Sequence, residues 1–420
     1  MTRHVIIGNG IAGINAAETI RRIEPEADIH IIAGETFPPY SRPMISLVLE
    51  GRLDHDRLPI RGPDFYKKNR IKVSLGEKVE SIEVEQRKVF TDRGQAVGFD
   101  RLLIASGADP RRIKVPGEDL ENVSFFRTQD HAQKVLKSLP DVKRALVLGG
   151  GLVAFKSAYG LMKRGIKVTM LISSGYPLSM QVDGMAGKLI LDELTTNGLE
   201  IRTGAEVTAL EGIGTVSKAN LSDGTSMNCD LVMIGKGVKP SVGLVPKDRI
   251  RVDLGILVDH HLETTSPGIF AAGDVAQAMD VVRNETWVNA IWPVAAEQGI
   301  IAGNNMAGRP VVYRGSFGRN VMRVHSLDVM SGGITNPKQS ENYRIFTSTD
   351  NRNRLYRKLV LRDDKLVGMT MIGNIEQGGV ILSLIQRQLP LTQDPEQMLE
   401  PSFNFSSVFT GTFRRRRNIE

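Results

Sequence analysis

A chain of 420 residues is too long for one hydrophobic core and implies two or three domains, and its 41% hydrophobic and 24% charged residues are those of an ordinary globular protein. No apolar run approaches the ~20 residues needed to span a bilayer, and no secretory pattern opens the sequence, so no membrane span and a cytoplasmic location are expected. The formal charge is +7, but Arg414 to Arg417 concentrate four positive charges near one end and the rest is close to balanced; without a zinc-finger or aromatic-basic motif, nucleic acid is not an expected partner.

The first predicted elements are strand, turn and helix. Val5 to Ile7 is a β-branched run, Gly8, Gly10 and Gly13 follow at G-x-G-x-x-G spacing, and Ala17 and Ile20 belong to a helical pattern. In that spacing the first glycine permits a tight turn and the second lets the backbone approach a pyrophosphate. The third brings helix against strand, with the phosphates at the positive helix end. A second strand, Ile29 to Ile32, ends just before Glu35, an acid placed to accept hydrogen bonds from an adenosine ribose. A tight turn alone explains the glycines; strand, helix, second strand and acid in order point to a dinucleotide.

The pattern then recurs. Arg144 to Leu148 is a strand, Gly149, Gly151 and Ala154 stand at G-x-G-x-x-A spacing, a helix runs to Arg164, and Val168 to Ile172 is the next strand. No acid follows it; Ser173 and Ser174 stand there instead. Serine can bind ribose hydroxyls or a 2′-phosphate, although arginine is the stronger phosphate ligand. NAD(H) is therefore expected ahead of NADP(H), which the pattern also admits. Two such units imply two dinucleotides, the number needed to pass hydride between a nicotinamide and a flavin.

Farther along, an apolar strand over Phe270 delivers Gly273 and Asp274 at its carboxyl end, where open α/β sheets bind ligands. Asp274 is either such a ligand group or a helix N-cap. Trp292 and Pro293 open a helix whose N-terminus offers backbone donors, and Trp292 is alternatively core. Beyond Pro310 the predicted strands are Tyr343 to Thr347, Tyr356 to Leu361 and Leu366 to Ile372, with Arg362 to Lys365 as a hairpin turn. A helix follows with Val380, Ile381, Leu384 and Ile385 on one face, ending at Pro390. From Gln393 the pattern weakens into Phe403, Phe405, Phe409 and Phe413 and then the four arginines, which serve either as a solvated tail or to dock a partner.

These motifs, with Pro39 to Ser46, Leu102 to Arg111, Thr265 to Ala276 and Trp292 to Gly299, resemble the FAD-dependent pyridine nucleotide-disulphide oxidoreductase superfamily. The branch they resemble is that of ferredoxin and rubredoxin reductases and the flavin portion of NADH-dependent nitrite reductases, over roughly residues 1 to 395. The resemblance implies an α/β fold with two Rossmann-like, glutathione-reductase-like dinucleotide-binding domains plus a small C-terminal α+β domain. It places FAD against Gly8, Gly10, Gly13, Glu35, Arg42, Ala105, Gly107, Gly273, Asp274 and Trp292, with Asp274 on the ribityl chain and Ser106 where a threonine is usual. The nicotinamide nucleotide falls to Gly149, Gly151 and Ala154. The expected segments are 1–109 with 242–310 for FAD, 110–241 for NAD(P), 311–395 for an interface domain that often builds a homodimer, and a basic aromatic tail over 396–420.

Departures from the family pattern choose the subclass. Cys229 is the sole cysteine, so a redox disulphide is excluded, the single-thiol oxidase pattern over Ser41 to Ser46 is absent, and this chain holds no iron–sulphur or rubredoxin-type iron. Where related ferredoxin reductases often pair a lysine with a glutamate, Leu47 and Lys156 stand here. Lys156 is expected near flavin N5 or the nicotinamide, or else in solvent. The expected function is electron exchange between NAD(H) and an iron–sulphur protein or subunit through FAD. The alternatives are an NADH oxidase making hydrogen peroxide and a non-enzymatic FAD-binding regulator or scaffold.

Overall fold

The computed structural model describes residues 1–338 and 342–403. Its described residues divide into two compact units, one built from 1–171, 205–280 and 284–316, the other from 172–204, 281–283, 317–338 and 342–403. Residues 172–204 thus group with the C-terminal segment rather than with their neighbours in the chain. Phe405, Phe409, Phe413 and Arg414 to Arg417, the body of the expected tail, lie outside the described residues.

The first unit holds two parallel sheets. In one the strand order is Ile269–Ala271, Arg101–Ile104, Arg3–Ile7, Asp28–Ala33, Ile71–Leu75. In the other, Lys167–Ile172, Arg144–Leu148, Leu231–Ile234 and Val123–Phe125 pair in parallel in that order. Central runs such as His4 to Ile7 and Ala145 to Leu148 are buried throughout, as parallel strands covered on both faces must be. Helices Ile11–Ile23 and Trp292–Met306 cross closely because small residues line the contact: a Cβ on Gly299 would lie 2.3 Å from the Ala12 carbonyl oxygen. Two three-stranded antiparallel meanders, starting at Val79 and at Val207, also belong to this unit.

In the second unit an antiparallel sheet runs in the order Arg319–Val324, Leu327–Gly333, Lys365–Ile372, Leu355–Arg362, Arg344–Asp350. Helix Gly378–Arg387 covers it with Ile381, Leu384 and Ile385. The expected hairpin turn is present, with Asp363 and Asp364 at φ +50 and +57, the conformation of a two-residue turn matched to strand twist. The α/β architecture with two Rossmann-like sheets and a smaller C-terminal α+β part is the one expected. Among the described residues no helix is long and apolar enough to cross a membrane.

Candidate functional site

The first glycine turn joins strand Arg3–Ile7 to helix Ile11–Ile23. Gly8 sits at φ +111, and a Cβ there would lie 2.2 Å from the Ala105 carbonyl oxygen. A Cβ on Gly13 would lie 2.1 Å from the carbonyl oxygen of Gly8. Gly10 differs: a Cβ there meets nothing within 4 Å, and as N-cap it supplies no side-chain cap to the first turn. The result is an open cradle at a helix N-terminus, whose unpaired N–H groups suit an anion such as a pyrophosphate. Asn9 ties this turn to the loop beyond the second strand, donating to the Phe37 carbonyl at 3.3 Å and accepting from Tyr66 at 3.0 Å.

The second turn repeats the geometry with one exchange. Gly149 is at φ +112, with a would-be Cβ 2.5 Å from the Gly235 carbonyl oxygen, and Gly151 again faces open space. The third position is Ala154, and its methyl is accommodated because residue 235 is glycine: a Cβ there would lie 2.6 Å from Ala154 Cβ. Gly235 was not identified from sequence, since its partner lies 81 positions away.

Charged groups from distant segments gather beside the first turn's loop. Glu35, just past strand Asp28–Ala33, accepts from Tyr40 Oη at 2.6 Å and pairs with Arg42. Arg42 also donates to Tyr40 Oη at 3.0 Å and to the Arg127 carbonyl at 3.4 Å. Burial alone would depress the Arg42 guanidinium, but Glu35 and Tyr40 outweigh it and raise it, while burial pushes the Tyr40 phenol up. Glu35 is therefore already engaged as the holder of Arg42, besides standing where a ribose acid is expected.

Asp274 follows Gly273, whose N–H donates to Gln298 Oε1 at 2.8 Å. No helix begins there; the chain enters strand Ala276–Asp280, so the capping alternative does not apply. Its carboxylate instead accepts from Arg127 Nη2 at 2.6 Å, with both side chains largely buried, and Arg127 Nε donates to the Ala108 carbonyl at 3.1 Å. Arg127 escaped the sequence reading. The one local signal was its place immediately before Thr128, which starts a capping box with His131 on helix Gln129–Ser138. Arg127, Arg42 and the Gly10 cradle supply the cationic and N–H donors that a dinucleotide pyrophosphate needs, and Asp274 supplies an acceptor for hydroxyls. This chemistry fits FAD.

Trp292 is half-buried at the first position of helix Trp292–Met306, so it is not simply core, and Pro293 follows in the first turn. Ala105 is buried, and Gly107 adopts φ +72. Lys156, on helix Leu152–Lys163, is half-buried and makes no hydrogen bond or ion pair with the described residues. Leu47 lies on helix Ile45–Glu50, whose Val48 and Leu49 carbonyls accept from Arg164 at 3.1 and 2.9 Å.

Cys229 is 1% exposed, and burial pushes its thiol up to about 11. A thiol so held is neither nucleophile nor redox partner at neutral pH. Cys229→Ser is expected to leave turnover within twofold, and steady-state kinetics of folded variant and wild type check this. Among the described residues no cluster of three or more His, Cys, Asp or Glu side chains is placed to hold a metal ion.

Residues 2–299 match the pyridine nucleotide-disulphide oxidoreductase family, and residues 319–389 match the rubredoxin NAD+ reductase C-terminal domain. The assimilatory nitrate reductase electron transfer subunit of Bacillus subtilis is 29% identical over 95% of this chain and 51% of its own length. The chain thus spans about half the length of that curated relative. The NADH-dependent phenylglyoxylate dehydrogenase subunit epsilon of Aromatoleum evansii is 30% identical over 93% of both chains. Among solved structures, NADH:rubredoxin oxidoreductase from Clostridium acetobutylicum superposes with a TM-score of 0.76 at 27% identity, over 94% of this chain and 97% of that one. With the family matched over most of its length, and with both glycine turns built as described, the chain belongs to the pyridine nucleotide-disulphide oxidoreductase family, with FAD and NAD(H) as its cofactors.

Proposed function

We propose that the chain exchanges electrons between NAD(H) and an iron–sulphur protein or subunit by way of FAD. The observation that carries this reading is the single buried thiol: the sequence has no second cysteine for a disulphide, and among the described residues no side-chain cluster is placed to hold a metal ion that could take electrons from the flavin. The relatives named for rubredoxin and for electron-transfer subunits support an acceptor on another polypeptide.

Bound FAD supplies hydride exchange with the nicotinamide and release of electrons singly. The protein binds and orients. Gly8, Gly10, Gly13, Arg42, Arg127, Gly273 and Asp274 hold the FAD, with Glu35 fixing Arg42. Ala105 and Gly107 would shape the adjoining turn, and the helix opened by Trp292 would offer the positive end of its dipole to the bound flavin. Gly149, Gly151 and Ala154 hold the nicotinamide nucleotide. No side-chain acid or base is required. The segments then divide as 1–109 with 242–310 for FAD, 110–241 for NAD(P) and 311–395 as interface domain.

Lys156 is proposed to lie near flavin N5, where its ammonium favours reduced flavin. Lys156→Glu is then expected to lower the midpoint potential by on the order of tens of mV. A spectroelectrochemical titration with no shift assigns Lys156 to solvent.

The test of the function is stopped-flow mixing of NADH, the FAD-loaded protein and iron–sulphur preparations from the source cell. Fast reduction of one of them, with dioxygen much slower, is the expected result, and a rate that falls with salt indicates charge steering. If dioxygen is the fastest acceptor throughout, the NADH oxidase reading replaces this one. If bound flavin fails to bleach anaerobically with NADH, the protein is a regulator or scaffold. We further propose a cytoplasmic setting and a homodimer through the C-terminal sheet, whose edge strands leave Val321 and Ile345 59% and 50% exposed. Sedimentation of Val321→Lys as a monomer beside a dimeric wild type would support the latter.

A further inference from the structure

We infer that Asn336, on the C-terminal segment, is a positioning residue for the adenosine half of the nicotinamide nucleotide. It acts through Ser179 and Ser174 in the loop that follows strand Lys167–Ile172. The inference rests on the NAD(H) reading of that strand and adds to it a residue from outside the nucleotide-binding sequence.

Residues 173–182 form no helix or strand. The end of the second strand in such a unit is where the adenosine ribose is read, so this loop's shape matters. It is held from within by Leu178, buried at φ +58, whose carbonyl accepts from the N–H groups of Gln181 at 2.7 Å and Val182 at 2.9 Å. Tyr176 packs closely against helix Gly184–Thr196: a Cβ on Gly187 would lie 2.1 Å from its ring.

The loop is also held from outside. Asn336 Nδ2 donates to the carbonyls of Ser179 at 3.0 Å and Val182 at 2.8 Å. Asp183, at the loop's far end, accepts from Tyr356 Oη at 2.6 Å and Lys358 Nζ at 2.7 Å. Ser179 Oγ in turn donates to Ser174 Oγ at 3.2 Å, and Ser174 Oγ donates to the Tyr176 carbonyl at 2.9 Å. Ser174 therefore spends its proton inside the loop. Ser173 is exposed and makes no hydrogen bond with the described residues, which leaves it as the hydroxyl available to a ribose. Asn336 holds the Ser179 backbone, the Ser179 hydroxyl holds Ser174, and Ser173 is the chain neighbour of Ser174.

The test compares NADH with reduced nicotinamide mononucleotide, which has the reacting ring but no adenosine. Wild type, Asn336→Ala, Ser179→Ala and Ser173→Ala are assayed as full-length FAD-loaded proteins with ferricyanide as acceptor. Loss of one or two hydrogen bonds should raise the KM for NADH about fivefold in Asn336→Ala and about threefold in the serine variants. The kcat should stay within about twofold and kcat/KM for the mononucleotide unchanged, a split that general loosening of the fold does not produce. Should Asn336→Ala not fold, Ser179→Ala removes only a half-buried hydroxyl and carries the test. Unchanged KM for NADH in the variants, or equal losses with both nucleotides, overturns the inference. A wild-type flavin that NADH cannot bleach overturns the NAD(H) reading beneath it, and the two failures are distinct.

Discussion

Gly10→Val protein should purify folded, colourless and free of FAD. Gly10 has φ −81 and ψ −177, an extended conformation that valine adopts readily, and its new Cβ would meet no protein atom within 4 Å. The apo protein therefore has no reason to lose stability. The side chain would instead fill the space above the first helical turn, separating a bound pyrophosphate from the N–H groups there. Losing two such hydrogen bonds to a charged group, at roughly 1.5–3 kcal/mol each, weakens FAD binding by about three orders of magnitude. Gly13→Val is the instructive contrast, because its Cβ would strike the Gly8 carbonyl and disturb the fold itself. Absorbance near 450 nm against protein concentration, with thermal melts of both apo proteins, checks the prediction. A yellow Gly10→Val protein with one FAD per chain would remove the cradle from the FAD site.

What could be read from the residues in advance was what is local. The glycine turns declare themselves because turn, cradle and helix contact fall within six consecutive positions, Gly8 to Gly13, each with its own steric demand. The hairpin at Asp363 and Asp364 did so because two apolar runs flank a turn of suitable residues. Arg127 could not be found this way. Its partner Asp274 is 147 residues distant, and only the fold brings them to 2.6 Å. Gly235 was hidden for the same reason. Strands Arg319–Val324 and Leu327–Gly333 were missed because an exposed pair, Arg323 with Asp328, and the adjacent Gly332 and Gly333 blur the alternation that marks a strand. The loop after Ile172 looked like a place for serine to meet ribose, but its tether at Asn336 lies more than 150 residues away.

Lys358→Met is expected to destabilise the second unit by about 3 kcal/mol, the usual consequence of leaving one member of a buried ion pair alone. Lys358 and Asp183 meet at 2.7 Å with side chains only 7% and 15% exposed, so solvent screens the pair little. Without the ammonium, Asp183 keeps Tyr356 and the Ala186 N–H it caps, but its charge is no longer balanced. Asp183→Asn combined with Lys358→Met should therefore be milder than Lys358→Met alone. The pH dependence has a definite sign. Burial would raise the Asp183 carboxyl, yet Lys358, Tyr356 and the Ala186 N–H outweigh it and hold the group below the ordinary carboxylate range. A carboxyl lowered on folding contributes stability in full above its unfolded value near 4, and that contribution is lost as pH falls through the folded value. Glu193, which burial would raise but Ser326 and Arg354 together lower, acts in the same direction. Wild type should accordingly lose protection on acidification below pH 4, and Lys358→Met should lose less, having less to lose. Because the chain has more than one compact unit, a single global midpoint is not the right observable. Hydrogen exchange of the amides in helix Gly184–Thr196, at pH 7 and near pH 3, reads the relevant unit directly. Equal protection of wild type and Lys358→Met at pH 7 would mean that the ammonium contributes nothing net, and that the loop's anchorage rests on Asn336 and Tyr356 alone.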